Sequence, residues 1–473
     1  MNVGHLPEPE LEFGTGNHVD IRFGITSHGP LDVDRQDLRS IRVGIVGTAE
    51  GIEHLHTWLD SCSRGIEAKS SRQPNLFGPF PGFHQGVSFR SDLVVEAKNC
   101  RAIPSQQFKD LADRASHNTL AAGASELFCN ELSILQEAHR TDVVICALPM
   151  EILRDMIRGY RSQDRAGSED LNFRRLLKAR AMQSISSPIQ LVLPTTYRPE
   201  YRKELPAESR KAIRLQDEAT RAWNIHTALY YKAGGTPWRI RTESDAFSVC
   251  YVGVSFFVGE GDELHTSVAQ VFNERGDGLI IRGGLAKVSK EDRQPHLEAQ
   301  GAFELLDASL TRYRQEHKTA PARVVLHKTS RFSPQEQDGF ESACAEHRID
   351  DIDLVWIRRS NTRLFRDGRY PPLRGTFLRA EDRCVLYTRG SVDFYSTYPG
   401  MYVPRPLSLH VARSEHTPES MAREVLALTK MNWNDTQFDN RDPITIKAAR
   451  KVGEILPYLA PSDRMQARFS YYM

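Results

Sequence analysis

The sequence predicts an α/β protein of two successive units, a Rossmann-like layer followed by an RNase H-like one. Three observations carry this prediction. Up to residue 193, short runs of the buried-strand type, such as 142–149 (DVVICALP) and 188–193 (PIQLVL), alternate with helical patterns. A helical pattern then stops at Gly234-Gly235, with Pro237 forbidding resumption. Beyond Trp238 the texture changes to three strands, a helix, a fourth strand and late helices, which is the order of the RNase H fold.

At 473 residues the chain is too long for one core. Its 62 basic and 61 acidic residues leave a net charge of +1, so an anion-binding surface has to come from local segregation. Seven cysteines (Cys62, Cys100, Cys129, Cys146, Cys250, Cys344, Cys384) form no C-x-x-C pair, and their odd number argues against a zinc site or a disulfide framework. The first residues, MNVGHLPEPELEFG, hold no apolar core of signal-peptide length, and no run is long enough to span a bilayer. The expectation is a soluble cytoplasmic protein with no membrane partner.

In chain order, residues 1–110 read as a β-rich segment packing on the two later units. The pieces 11–14, 20–24 and 28–32 are turn-bounded and expected to be extended. Residues 41–48 (IRVGIVGT) read as a buried strand and 50–62 as a helix; the glycines lack G-x-G-x-x-G spacing, so strand packing explains them better than a dinucleotide site. Residues 70–86, rich in Pro, Gly and aromatics, are an ordered loop or a contact surface, the loop being the simpler choice. Helices are expected over 108–140, 150–160 and 173–182, with a polar linker at 161–170. After residue 238, strands are expected at 246–258, 267–272, 278–282, 323–327 and 353–357, and helices at 296–316, 420–429 and 444–456.

Two stretches point to chemistry. In 223–238 (WNIHTALYYKAGGTPW), Lys232 falls in the last helical turn, where a lysine ordinarily complements the helix dipole. In 173–182 (FRRLLKARAM), Arg174 and Lys178 are four apart and share a helical face, which by itself fits a solvated basic surface. The string YYKAGGTPW, however, resembles the MID–PIWI junction of Argonaute proteins, where a lysine before a Gly-Gly-x-Pro-Trp turn holds the 5′ phosphate of a guide strand. MID domains of that family carry Tyr-x-x-x-Lys on the basic helix and Gln on the next strand. Lys178, Gln190 and Lys232 match in order, Arg174 replaces the tyrosine, and Thr196 falls where the family contacts the first nucleotide. The chain ends on apolar Met473, and the resemblance implies that its carboxylate helps hold a Mg²⁺ beside the phosphate.

The resemblance implies a MID domain over 111–238 and an RNase H-like PIWI domain over 239–473. It also implies that the catalytic acids are gone: Ser255, Thr329 and Arg450 stand at the aligned positions, and two hydroxyls with a guanidinium cannot assemble a two-metal centre. The glutamate finger has no placed equivalent. With no room for N and PAZ domains before the MID unit, the chain resembles a short prokaryotic Argonaute. Such proteins pair as heterodimers, with possible higher assembly on activation, with an APAZ-domain effector, commonly a sirtuin-like or TIR NADase. Guide RNA paired to invading single-stranded DNA then switches the effector on, depleting NAD⁺ in abortive infection. Candidate ligands for the duplex backbone are Arg239, Arg241, His327, Lys328, Arg331, Lys430 and Lys447. The alternatives are an active guide-directed nuclease using Asp245, Glu274, Asp277 or Asp442, and an α/β protein in which the motif is accidental.

Overall fold

The computed structural model describes residues 2–114, 116–162, 171–212, 215–241, 248–259, 263–271, 278–368, 371–380, 383–460 and 462–473. Two sheets organise them. The first is parallel, with strands in the order Asp92–Val94, Ser40–Gly47, Val143–Ala147 and Ile189–Val192; Cys100–Ala102 pairs with the second half of Ser40–Gly47. Its central strands are largely buried along their length, as expected of strands covered on both faces. The Ala49–Arg64 and Phe173–Ser184 helices belong to this unit, as does the Glu218–Lys232 helix. Gly47 lies so close to the next strand that a Cβ would approach the Ala147 carbonyl oxygen to 2.7 Å, a packing role for that glycine.

The second sheet runs Asn2–His5, Thr376–Arg379, Cys384–Leu386, Leu407–Arg413, Asp351–Arg359, Arg323–Lys328, Val249–Val258, Leu264–Val271 and Gly278–Leu285. Val249–Val258, Arg323–Lys328 and Asp351–Arg359 are mutually parallel, with antiparallel strands on either side. This is the RNase H-like core. Alternate residues of Val249–Val258 face opposite ways. Cys250, Val252 and Val254 pack with the Ala299–His317 and Pro334–Glu346 helices. On the other face, Gly253 admits the Ile444–Gly453 helix, and a Cβ there would meet the Thr445 carbonyl oxygen at 2.1 Å.

The 223–238 stretch locks the two sheets together. Its helix ends at Lys232, and Gly234 turns the chain with φ +96. Asp32 accepts hydrogen bonds from the Thr236 amide (2.8 Å) and the Tyr230 hydroxyl (2.6 Å). Trp238 has no exposed surface and donates Nε1–H to the Lys430 carbonyl oxygen at 3.0 Å. Arg239–Ile240 then pairs with Leu11–Glu12. The first dozen residues thus form a strap: Asn2–His5 closes one edge of the large sheet, Leu6 is buried, and Leu11–Glu12 reaches the junction.

Several expectations need correction. Residues 21–28 are not extended but form the Ile21–His28 helix, because the Asp20 carboxylate accepts from the Arg22 and Phe23 amides (2.8 and 3.1 Å) and so caps an N-terminus. The Pro334–Glu346 helix was not expected; it starts with a capping box between Ser333 and Glu336. The strands at 376–379, 384–386 and 407–413 were also unforeseen. Residues 70–86 are a loop packed on the chain itself, with Phe80 and Phe83 buried and the Pro79 carbonyl oxygen accepting from Trp223 Nε1 at 2.9 Å. The polar stretch at 161–170 lies, from residue 163, outside the described residues. Among the described residues, no helix is long and apolar enough to cross a membrane.

Gly253→Ala places a methyl group against a helix backbone that cannot yield. We expect a loss of roughly 1–3 kcal/mol in unfolding free energy, read by urea titration. Gly234→Ala, where a Cβ meets nothing within 4 Å, is expected to lose less, on the order of 1 kcal/mol from backbone strain alone.

Candidate nucleic-acid interface

The Phe173–Ser184 helix begins with Asn172, whose side chain accepts from the Arg175 amide. Its inner stripe, Phe173, Leu177 and Ala181, packs in the core, and Lys178 is buried with it at 3% exposure. The Lys178 Nζ has no hydrogen-bond partner among the described residues. From the Glu218–Lys232 helix, Lys232 enters the same region at 4% exposure. Its ammonium donates to Gln190 Oε1 on the Ile189–Val192 strand and lies 3.5 Å from the Met473 main-chain oxygen. The Gln190 amide nitrogen donates to the Leu191 carbonyl oxygen at 3.0 Å, which fixes its oxygen toward the lysine. Tyr472 and Met473 are buried, and the Met473 contact brings the end of the described chain against Lys232.

The electrostatics are unusual for an apolar interior. Burial, with the Arg174 guanidinium adding to it, pushes Lys232 down to about 7. Burial also drives Lys178 well below the ordinary lysine range, and the charges of Lys232, Arg174 and Lys451 add to the effect. Neither ammonium is salt-bridged to an Asp or Glu side chain among the described residues. A buried cation without a counter-ion is costly, and an anion carrying two charges would relieve both at once. Arg174 is half-buried, close enough for its charge to act on both lysines.

Thr196 is half-buried on the short Pro194–Tyr197 helix. The hydroxyl left buried and unpartnered belongs instead to its neighbour Thr195, at 1% exposure. No pattern in the chain favours Thr195, nor Lys451 or Cys146, whose buried thiol is close enough to both lysines to interact with them. Nearby, a cleft of about 600 Å³ opens between the Gly234-Gly235 turn and Arg239, Arg468 and Ser470.

Of the three positions expected to have lost catalytic acids, Ser255 lies in the large sheet, Thr329 just past one of its strands, and Arg450 on the helix packed against it. Ser255 closes the buried run at 252–255, one residue past Val254, which is paired with Lys328; Thr329 follows directly. Both sit at the carboxyl-terminal edge of the parallel strands. Arg450, on the Ile444–Gly453 helix, donates to Asp442 Oδ2 at 2.8 Å, and Arg441 donates twice to the same carboxylate at 2.9 Å. Burial alone would raise the Asp442 carboxyl, but the Arg441 and Arg450 bonds outweigh it and hold it low. The guanidinium of Arg359 is pushed down chiefly by Arg441, then by burial, with Arg450 and Arg405 adding to it, so this edge is crowded with positive charge. Asp245, Glu274 and Asp277 lie outside the described residues.

Among the candidate backbone ligands, His327, Lys328 and Lys430 must be withdrawn. All three are buried. His327 is hydrogen-bonded to Thr445 Oγ1 (2.9 Å), and burial pushes its imidazole down to about 3. Lys328 is paired with Glu336, and Lys430 with Glu8 at 2.7 Å and with the carbonyl oxygens of Pro9 and Val19. They serve the core. Arg239 is held by Glu12 (2.7 Å), Arg241 by Glu10 and Lys447 by Asn440 (3.0 Å), while Arg331 is exposed.

No family model and no curated protein matches the sequence. Solved structures do match the fold. The chain aligns with Clostridium butyricum Argonaute bound to a guide DNA and a 19-mer target DNA at TM-score 0.66 and 15% identity, covering 98% of this chain and 54% of that one. The fold is Argonaute-like. Drosophila Piwi aligns at TM-score 0.61 and 14% identity, over 99% of this chain and 56% of Piwi. A. aeolicus Argonaute aligns at TM-score 0.60 and 14% identity, over 98% of this chain and 54% of that one. The chain therefore spans about half the length of these Argonaute structures, and the shared part is the MID–PIWI fold.

Because the folded lysines hold their protons less tightly than the ordinary value of 10.5, the unfolded chain binds more protons at neutral pH, and stability rises with pH through this window. Lys178→Met removes a buried amine without opening a cavity. We expect it to stabilise the nucleic-acid-free chain at pH 7 by on the order of 1–3 kcal/mol, with the advantage shrinking as pH approaches 10. Thermal melting at several pH values measures it, and a destabilised variant at pH 7 would contradict the assignment.

Proposed function

We propose that this chain is the guide-binding, non-cutting subunit of a prokaryotic short Argonaute defence system. It takes a 5′-phosphorylated guide RNA into the Lys178–Lys232 pocket and pairs that guide with invading plasmid or phage DNA. The observation that carries the proposal is the pair of buried lysine amines, Lys178 without a hydrogen-bond partner and Lys232 bonded to Gln190 and 3.5 Å from the Met473 main-chain oxygen, neither paired with an Asp or Glu side chain among the described residues. A terminal phosphate supplies the missing charge and enough acceptors for both lysines, while Gln190 and Arg174 add directed hydrogen bonds. An internal phosphodiester, with one charge and two flanking sugars, fits such an enclosed socket less well. We assign residues 111–238, with the strands of the parallel sheet that precede them, to guide-end binding, and 239–473 to duplex binding.

Mg²⁺ fits the donor set of this pocket. The Met473 main-chain oxygen lies 3.5 Å from the Lys232 ammonium, and this oxygen with those of the phosphate would hold the ion. It would supply further neutralisation of the terminal charge. We assign no target cleavage to this chain: Ser255, Thr329 and Arg450 offer no carboxylate, and Asp442 is committed to Arg441 and Arg450. The response to target recognition is assigned to a cytoplasmic partner, an APAZ-containing effector of the sirtuin-like or TIR type that depletes NAD⁺. Affinity capture of the native complex and sequencing of the bound strands test that assignment.

The pocket is tested with RNA guides of one sequence carrying a 5′ phosphate or a 5′ hydroxyl. Lys178→Ala with Lys232→Ala should weaken the phosphorylated guide by about 100-fold, two lost charge-assisted contacts, and the hydroxyl guide far less. Equal losses would remove the pocket assignment. Chelation of Mg²⁺ should likewise penalise only the phosphorylated guide.

The free pocket must also gain protons on binding, because the phosphate favours the charged lysines. Affinity for the phosphorylated guide should therefore fall as pH rises from 7 to 9, by at most about tenfold per unit for each proton taken up. Calorimetry in buffers of different ionisation enthalpy should report proton uptake. Proton release would reverse the sign and refute the lysine chemistry.

A further inference from the structure

At the amino-terminal edge of the parallel strands, opposite the edge that carries Ser255 and Thr329, a second polar group is built into the RNase H-like sheet. Asp351 and Asp353 open the Asp351–Arg359 strand, paired with Arg323 and Val325 of the neighbouring strand. His416 comes from the loop just before the Pro418–Leu428 helix. One donor atom from each of Asp351, Asp353 and His416 lies within 4.8 Å of the others. His416 Nε2 is already 3.0 Å from Asp351 Oδ2.

Arg323 is the counter-charge, and it is oversubscribed. Its Nε donates to Asp353 Oδ2 at 2.6 Å and its Nη2 to Glu424 Oε2 at 3.1 Å, with Asp351 3.9 Å away. One guanidinium thus faces three carboxylates. Asp353 has no exposed surface, and its Oδ1 has no hydrogen-bond partner. A buried carboxylate oxygen left bare costs free energy.

We propose that Asp351, Asp353 and His416 form a site for a divalent transition-metal ion of the zinc class. One imidazole nitrogen with two carboxylate oxygens is a normal donor set for Zn²⁺, which takes His at about 2.0–2.1 Å and carboxylates at about 2.0–2.2 Å, with water completing the shell. Mg²⁺ prefers oxygen donors alone and is disfavoured by the imidazole. Asp353 offers Oδ1 while Oδ2 stays with Arg323, which then acts as the outer partner that orients the ligand. His416 exchanges its hydrogen bond to Asp351 for the metal, with the ring proton carried on Nδ1. The ion would clasp the start of one core strand to the last-strand-to-helix loop. Its role is structural and independent of guide binding.

The test is Zn²⁺ titration of the chelator-treated full chain, read by bound-metal stoichiometry and by melting temperature, with Co²⁺ as a spectroscopic substitute. Wild type should take up one ion more than His416→Ala or Asp351→Asn, and only wild type should melt higher with Zn²⁺. Both substituted residues are partly exposed, so the variants should remain folded; circular dichroism and retained guide affinity check this. The Co²⁺ complex should lack a thiolate charge-transfer band, which separates the site from binding at Cys100 or Cys129. Uptake equal in wild type and both variants, or no stabilisation by Zn²⁺, overturns the proposal.

Discussion

Two ammonium groups folded into the interior, with no carboxylate side chain bonded to either, set the terms for the rest of this molecule. A chain can tolerate them only if surrounding structure is stable enough to bear the cost. That support comes from buried parallel strands on one side and a helix locked by Trp238 on the other. The deficit is also a binding energy held in reserve. An anion fitted between the two amines would recover desolvation that folding has already spent.

The junction explains why the pocket keeps its shape. Lys232 sits one residue before the turn, and the turn is fastened from three directions: by Asp32 through Thr236 and Tyr230, by Leu31 through the Pro237 carbonyl oxygen, and by the Lys430 carbonyl oxygen through Trp238. Lys430 is itself anchored by Glu8 and two main-chain oxygens. A lysine that looks like a surface cation in sequence is thus a keystone of the joint between the two sheets. Its charge is consumed by architecture, as is that of Lys328 by Glu336.

Both sheets were legible in the sequence where periodicity was strong. Apolar strands such as Val143–Ala147 and Arg323–Lys328 could be read from composition alone, and the Gly-Gly-x-Pro-Trp turn announced the helix end. The Ile21–His28 helix was lost because it is short and its signal is a single Asp cap. The strands after residue 370 are short and bounded by polar residues, so only tertiary pairing defines them. For the candidate site, the residue pattern alone read as a solvated basic face and only the family resemblance singled out Lys178, Gln190 and Lys232; neither could say that Lys178 would be buried without a partner, since a basic helix face reads the same whether solvated or enclosed. The Asp351–Asp353–His416 group was invisible for another reason: 65 positions separate Asp351 from His416, and only the sheet brings them together.

The strap formed by the first dozen residues has a consequence for how this protein can fail. Asn2–His5 occupies the rim of the large sheet, hydrogen-bonded to Thr376–Arg379. Without it, those main-chain groups would stand open along a twisted, partly apolar border, a template for any extended peptide. Clipping the amino terminus would therefore turn a closed sheet edge into an adhesive one, with self-association arriving before any change around Lys178 and Lys232.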